Sequence, residues 1–140
     1  MRLETSAFLA VLLASTGLTQ TEAAALLHVD GRTVRRWIEG TRPTPKVAIE
    51  RLNAWAYALD QTAQAITMSR GGPAVLLLYR DVPAWTGLRT ARCHLALVRR
   101  VFERRPDIQL IAFDRVPYRY WLGARTDSED MRAAWAASRV

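Results

Sequence analysis

Apolar side chains recur at helical spacing through the first half of this chain, and this periodicity indicates a bundle of helices. One stripe predicts a first helix from Glu4 to Thr16 that ends at Gly17. Its members are Phe8, Leu9, Leu12 and Leu13. A second stripe predicts a long helix that Thr44 caps and that has Pro45 at its first position. This helix is expected to run to about Met68. Its members have nearly heptad spacing and are Ala48, Leu52, Trp55, Leu59 and Ile66.

Two shorter helices are predicted between these two. Thr19 and Glu22 have the spacing of an S/T-x-x-E capping box, so the first short helix should begin at Gln20. Its small, apolar face consists of Ala23, Ala24, Leu26 and Leu27. Asp30 is a good N-cap for the second short helix and Gly40 is a good stop, which places that helix at residues 31–39.

The helix predicted at 31–39 separates apolar side chains from basic ones. We expect its buried side to consist of Val34, Trp37 and Ile38, at the spacing i, i+3, i+4. The side chains left pointing outward are Arg32, Thr33, Arg35 and Arg36. Because the planar guanidinium of arginine can donate two hydrogen bonds to a phosphate or a guanine, a short helix of this kind is suited to approach a polyanion.

The segment resembles the helix-turn-helix of phage-repressor-type (Xre-like) regulators, over roughly residues 5 to 66. In that pattern a glutamine opens the first helix, a small residue lets the helices approach, and a branched and a bulky residue anchor the second. Here these residues are Gln20, Ala24, Val34 and Trp37. The trailing Gly40-Thr41-Arg42-Pro43 also resembles the loop of that family. His28 stands where the turn usually has glycine, and it would carry some strain if its φ were positive.

The resemblance implies that helix 31–39 lies in the DNA major groove, with contacts from Gln20, Arg32, Thr33, Arg35, Arg36, Arg42 and Lys46. Arg32 and Arg36 are one turn apart and are expected to reach base edges, where arginine pairs with O6 and N7 of guanine. Thr33 would contact a thymine methyl group or a phosphate. The other four suit the DNA backbone. The alternative for each of them is a solvated surface side chain.

The second half of the chain alternates strands and helices. After a linker at 69–73, continuous apolar runs at 74–79 and 108–113 predict two strands, the first of them buried on both faces. A helix from Leu88 to Arg105 is predicted between the strands. Its apolar face consists of Leu88, Ala91, Leu95, Val98 and Phe102.

Asp127 is expected to cap a last helix, which carries Met131, Ala134 and Trp135. The fold predicted is therefore a mainly α helix-turn-helix domain at 1–68, followed by a small α/β (β-α-β-α) half at 74–140. Tyr118, Tyr120, Trp121 and Trp135 are expected to be core residues, although exposed aromatic side chains beside arginines would suit stacking on single-stranded bases.

Two strands make too small a sheet to stand alone, and apolar edges of this kind find partners. We therefore expect a homodimer whose sheet or helices a second copy completes. This domain order is similar to that of the small autorepressors encoded beside phage anti-CRISPR genes. The resemblance implies a sequence-specific regulator that represses transcription as a symmetric dimer on an inverted repeat.

The net charge of +7 and the isoelectric point near 10.7 favour nucleic acid or an acidic surface as a partner. The excess lies in the second half, where residues 69–140 have thirteen arginines against seven acids. Many of these arginines lie on the predicted helix 88–105. Such a run is usually a solvated helix face, but RNA or an acidic protein would also fit it. An RNA-binding regulator and an antitoxin therefore remain alternatives.

Other classes of protein receive less support. Cys93 is the only cysteine, which excludes an internal disulfide and fits a reducing cytoplasm. The Cys93-His94 pair is interpreted as two helix residues, and no metal or cofactor is expected. The apolar run at 7–14 is interpreted as a helix rather than a signal peptide, and no segment reaches the roughly 20 apolar residues of a membrane span.

No catalytic motif is present, so an enzyme is not expected. The rival interpretation is a small toxin-type nucleic-acid enzyme with its site at the ends of the strands. Its candidate residues would be Arg80, Asp81, Asp114, Arg115 and Tyr118. Only their location favours them.

Overall fold

The structure is a computed structural model that describes residues 2–68, 75–79 and 91–140. The predicted linker at 69–73 and the residues Arg80, Asp81, Leu88 and Arg89 lie outside the described residues. The chain forms two compact units, residues 1–62 and 63–140. In the described part, no single helix is long and apolar enough to cross a membrane.

Four helices make up the N-terminal part: α1 (Arg2–Thr16), α2 (Gln20–Leu27), α3 (Gly31–Glu39) and α4 (Lys46–Met68). All four were predicted, and the bounds of α2 and α3 are those that the capping residues predict. The cap predicted for α4 is wrong. Thr44 is buried, and its hydroxyl makes no hydrogen bond within the described residues because the side chain is turned into the protein. The carbonyl of Pro45 accepts the first helical bonds instead.

The core of the first unit lies where α1, α2 and α3 meet. The helix α3 contacts both others, and α1 and α2 are bent by 101° at the break between them. The largest fully buried side chains here are Leu9, Leu52 and Val34. Phe8 was predicted to be in the buried stripe, but it is 49% exposed. The buried stripe of α1 is narrower and continues through Leu12 and Leu13 to Thr16.

The second unit contains a two-stranded parallel sheet and three helices among the described residues. Its elements are β1 (Val75–Leu78), α5 (Ala91–Arg104), β2 (Gln109–Ala112), α6 (Arg115–Leu122) and α7 (Glu129–Ser138). The register pairs Leu77 with Ile111. The strand β1 contacts α5 and α7. The segment around Tyr118 forms the eight-residue helix α6, which Asp114 caps by accepting a hydrogen bond from Val116 N.

An aromatic cluster forms the core of this unit. The ring of Phe113 lies 5.2 Å from that of Tyr118 and 5.7 Å from that of Trp135, between centroids. Tyr118 and Trp135 are both 2% exposed, so their prediction as core residues is confirmed. Tyr120, however, is 86% exposed, because it lies on the opposite side of α6 from Tyr118.

The face predicted for α5 is only partly correct: Val98 is buried, but two other predicted members are not. Leu95 and Phe102 are 53% and 42% exposed. The buried face is rotated and consists of Cys93, His94, Leu97, Val98 and Val101. A polar histidine belongs to it because its Nε2 hydrogen-bonds the carbonyl of Leu77 on β1, 3.0 Å away.

The helix α7 is capped by Ser128, whose hydroxyl accepts a hydrogen bond from Met131 N at 3.1 Å. Asp127 was predicted for this role, but it is engaged elsewhere. Its Oδ1 accepts a hydrogen bond from the hydroxyl of Tyr118, and its two oxygens pair with the guanidinium of Arg132 at 3.0 and 2.7 Å. Ala134, predicted for the apolar face, is exposed.

Candidate nucleic-acid interface

The first helix of the motif begins with a complete capping box. The backbone N–H of Glu22 donates to the hydroxyl of Thr19 at 3.2 Å, and the backbone N–H of Thr19 donates to the carboxylate of Glu22 at 3.1 Å. Gln20 is therefore the first residue of α2, and it is exposed. Its side chain stands beside the positive end of the helix dipole, where a phosphate is favoured.

The turn between α2 and α3 is held by a left-handed residue. His28 has φ 56° and ψ 42°, and it is the one non-glycine residue with positive φ among the described residues. The backbone N–H of His28 and that of Val29 donate to carbonyls of the last turn of α2, those of Ala25 and Ala24. The chain therefore ends α2 as a glycine would, at the cost of some local strain.

Both ends of α3 are fixed by local hydrogen bonds. At the start, Oδ1 of Asp30 accepts a bond from Thr33 N at 2.7 Å. Hydrogen bonding to Thr33, together with the nearby charges of Arg32 and Arg36, lowers the pKa of Asp30. At the other end, Gly40 has φ 76°, a conformation that favours glycine. The N–H groups of Thr41 and Arg42 both donate to the carbonyl of Arg36, at 3.0 and 3.2 Å.

The structure confirms the division of α3 into a buried and a basic side. Val34 is fully buried and Trp37 is 3% exposed, while Ile38 is half-buried. The exposed side carries Arg32, Arg35 and Arg36. Among the described residues these three guanidinium groups make no ion pair or hydrogen bond, so they are available to an external anion.

Helix geometry places the three arginines around one outward direction. At about 100° per residue, Arg32 lies almost opposite Val34, with Arg36 about 40° to one side of it and Arg35 about 60° to the other. Glu39 falls on this same face, between Arg32 and Arg35 in direction, and it is exposed. Sequence reasoning missed Glu39, although its position four residues after Arg35 was visible. A glutamate here can accept a hydrogen bond from the N4 amino group of cytosine, and it repels phosphate.

A second residue missed by sequence reasoning is Ser6. Its hydroxyl donates to the carbonyl of Ile38, which links α1 to the C-terminal turn of α3. A side chain at Gly40 would approach Ser6 to 3.9 Å, so this corner is closely packed. The contact supports the orientation of α3 rather than touching a ligand.

The flanking basic residues lie at the end of α3 and the start of α4. Arg42 is exposed, and its backbone bond to Arg36 keeps it beside the C-terminus of α3. The side chain of Lys46 is 91% exposed and lies 3.8 Å from that of Glu50. A pair this exposed contributes little and does not prevent Lys46 from binding a phosphate.

The candidate residues of the rival enzyme do not form a site among the described residues. Tyr118 donates its hydroxyl to Asp127, whereas Asp114 caps α6. Cys93 and His94 belong to the buried face of α5, and no cluster of metal-ligating side chains occurs in the described part of the chain.

A comparison with known families agrees with this geometry. A family model described as a homeodomain-like domain matches residues 4–42, which hold almost all of α1 together with α2, α3 and the cap of α3. No curated protein matches the chain. Residues 4–42 therefore form an N-terminal helix-turn-helix that is similar to homeodomain-like domains, an arrangement typical of DNA-binding proteins.

Proposed function

We propose that the protein is a cytoplasmic transcriptional repressor, without enzymatic activity, that binds an inverted repeat as a homodimer through α3. The observation that carries this proposal is a set of three exposed arginines on a helix with both ends capped. In the described part of the chain, none of the three makes an ion pair. A helix fixed in this way loses little further freedom on binding, which favours specific contacts. The phage-repressor-type pattern supports the same assignment.

The position of each arginine on α3 would determine whether it contacts a base or a phosphate. Arg32 and Arg36 lie near the centre of the outward face and would read guanines, while Arg35 at its edge would hold a phosphate. The backbone N–H of Thr33 donates to the capping carboxylate of Asp30, so only the side chain of Thr33 is available for a base or a phosphate. Gln20, Arg42 and Lys46 would fix the docking angle from both ends of the motif.

A dimer follows from the length of the site that one α3 can read. One recognition helix contacts only a few base pairs, which is too little for a specific site. Two copies related by a two-fold axis would read half-sites about 34–36 Å apart, or a multiple of that distance. Occupying a promoter in this way would exclude the polymerase, and control of its own operon is the simplest circuit.

A second partner is favoured by one observation on α5. Arg92 and Arg99 are exposed on the same side of this helix as Leu95 and Phe102. A surface that combines arginines with exposed apolar side chains suits RNA bases or an acidic protein, as an antitoxin would require. This activity would act beside DNA binding, because α5 belongs to the other unit.

Selection of duplexes from a random pool tests the main proposal. We expect the recovered sequences to contain an inverted repeat, and binding titrations to show two chains per duplex. A pool that yields no consensus, or a consensus without two-fold symmetry, would contradict the proposal. Recovery of RNA hairpins in a parallel selection would favour the second partner instead.

A further inference from the structure

The two edges of the small sheet are not equivalent. On β1, the carbonyl of Leu78 accepts a hydrogen bond from Phe113 N on the β2 side, at 2.8 Å. Carbonyls alternate along a strand, so the carbonyl of Leu77 points to the outer edge of β1. Nε2 of His94 lies 3.0 Å from this carbonyl, and His94 is only 6% exposed. A buried side chain therefore occupies the outer edge of β1.

The outer edge of β2 is open among the described residues. Because Phe113 turns its N–H toward β1, Ile111 and Gln109 do so too, and Leu110 and Ala112 turn theirs outward. Leu110 is 41% exposed, and Ala112 is also exposed. The strand has no charge and no proline, which are the features that normally protect an edge from pairing.

We propose that β2 pairs with β2 of a second copy, antiparallel, across a two-fold axis at Ile111. The two sheets would then join into one four-stranded sheet with the order β1-β2-β2-β1. This proposal rests on the homodimer of the proposed function and deepens it, because it assigns the seam that holds two copies of α3 together.

Backbone geometry restricts the register of this pairing. Residues whose N–H and C=O point outward must face each other, and within β2 these residues are Leu110 and Ala112. Three symmetric registers satisfy this condition, with the axis at Leu110, at Ile111 or at Ala112. Each of them would have an alternating pattern of hydrogen bonds, about four in the case of the axis at Ile111.

Charge selects among the three registers. With the axis at Ile111, Asp107 in the turn before β2 would lie near Arg115 at the start of α6 of the second copy. This pair would form twice, and both side chains are exposed. With the axis at Leu110, Asp107 would face Phe113 of the second copy, and no pair of opposite charges is formed. With the axis at Ala112, Leu110 faces Asp114 of the second copy, and no pair of opposite charges is formed. Only the register with the axis at Ile111 places opposite charges next to each other at both ends of the seam.

Charge reversal in two separate chains tests the register. Asp107→Arg and Arg115→Asp each place like charges at both ends of the seam, so each variant alone should dimerise at least tenfold more weakly than the wild type. Mixing the two variants restores both pairs, because the new arginine meets the new aspartate and the native pair remains. We therefore expect the mixture to form heterodimers as tightly as the wild type forms homodimers, measured by sedimentation equilibrium.

Two controls accompany the mixture. Arg92→Asp makes the same change of charge as Arg115→Asp but lies on α5, and it should leave dimerisation unchanged. Melting curves should show that each variant is folded, since the Arg105–Asp107 pair that Asp107→Arg breaks is an exposed one. If each variant alone dimerises as tightly as the wild type, or if the mixture stays monomeric, the register with the axis at Ile111 is wrong.

Crosslinking tests the position of the axis by a different readout. Ile111→Cys should form a disulfide-linked dimer under mild oxidation, because residues on a two-fold axis of an antiparallel pair have Cα atoms about 4.5 Å apart. Gln109→Cys is the matched control: it would stand opposite Phe113 of the second copy, about 13 Å from its own equivalent. The native Cys93 is fully buried and should not react.

The outcomes separate this proposal from the proposed function. An Ile111→Cys dimer that fails to bind any specific duplex would support the seam and contradict the repressor. The protein could instead bind DNA as a dimer that neither charge variant weakens, or that crosslinks as well through Gln109→Cys as through Ile111→Cys. Either result would overturn the proposed seam without contradicting the repressor function. A full-length chain that remains monomeric at micromolar concentration would overturn the seam as well.

Discussion

Asp30 holds the first turn of α3 by accepting a 2.7 Å hydrogen bond from the backbone N–H of Thr33. This contact places a negative charge at the positive end of the helix, next to Arg32 and Arg36, which help to lower its pKa. The aspartate therefore has two effects. It stabilises α3, and it reduces the positive charge of the surface that DNA would meet.

Replacing Asp30 should separate these two effects. We expect Asp30→Ala to lower the melting temperature more than Asp30→Asn, since asparagine is also a good N-cap. Both variants should bind random-sequence duplexes more tightly, because each removes the same negative charge near the arginines. Melting curves and titrations at two salt concentrations would measure this. Equal melting temperatures for Ala and Asn would mean that the cap contributes nothing.

The pH dependence of this cap follows from the lowered pKa. Because the folded-state pKa of Asp30 lies below its unfolded value of 3.8, its stabilising contribution is complete above that value. The contribution is lost as the pH falls through the folded-state pKa. The difference in stability between wild type and Asp30→Asn should therefore be constant near neutral pH and change only in acid.

Arg36→Ala should weaken specific binding by about 1–3 kcal/mol, which is the usual cost of one lost bidentate contact with guanine. Arg36 is exposed and its guanidinium makes no ion pair among the described residues, so the fold should remain intact. Arg51→Ala on α4 is a matched control, because Arg51 is also exposed but lies outside the motif. Titrations on selected and scrambled duplexes decide the role. An equal loss on both would make Arg36 a phosphate contact.

Trp37→Ala should unfold the N-terminal unit. The side chain is 3% exposed, and truncating a buried tryptophan costs roughly 3–5 kcal/mol, a large share of the stability of a small domain. Trp37→Phe should be far milder, because the indole Nε1 makes no hydrogen bond among the described residues and its loss leaves no partner unsatisfied. Urea denaturation of both variants measures this. A Trp37→Ala protein that melts normally but cannot bind DNA would instead make Trp37 a DNA contact.

The sequence was sufficient to predict the helix-turn-helix because its signals are local. The box of Thr19 and Glu22 and the caps Asp30 and Gly40 act within one turn of the helix they bound, so residue identity alone determines them. The sequence predicted strain at His28 only if the φ of this residue were positive, and in the structure its φ is positive. A capping residue or a turn depends on three or four neighbours in the chain.

The second unit was harder to predict because its contacts are not local. His94 is buried since it reaches the carbonyl of Leu77, seventeen residues earlier in the chain, and that bond rotates the buried face of α5. Asp127 does not cap α7 because Arg132 and Tyr118 compete for its oxygens. Nothing in a one-dimensional pattern reveals such a competition, since aspartate and serine are both good N-caps.

The Asp127–Arg132 pair should control the acid stability of the second unit. The side chain of Arg132 is 10% exposed, and its guanidinium lies 4.7 Å from the ring centre of Phe113, so it needs its counter-ion. Hydrogen bonding to Arg132 lowers the pKa of Asp127 to about 2. Since this value lies below the unfolded value of 3.8, the contribution of Asp127 is complete above about pH 4 and is lost as the pH falls through 2.

Asp127→Asn should therefore destabilise the protein by about 2 kcal/mol at neutral pH, between the values for an exposed and a buried pair. It should also flatten the fall in stability between roughly pH 4 and pH 2, because the titrating group is gone. Asp130→Asn is the control: Asp130 is exposed in the first turn of α7 and forms no ion pair among the described residues. Urea denaturation at several pH values compares the three proteins. Asp127→Asn could instead lose stability in acid as steeply as the wild type does. Some other carboxylate would then cause the acid sensitivity, and the Asp127–Arg132 pair would not control it.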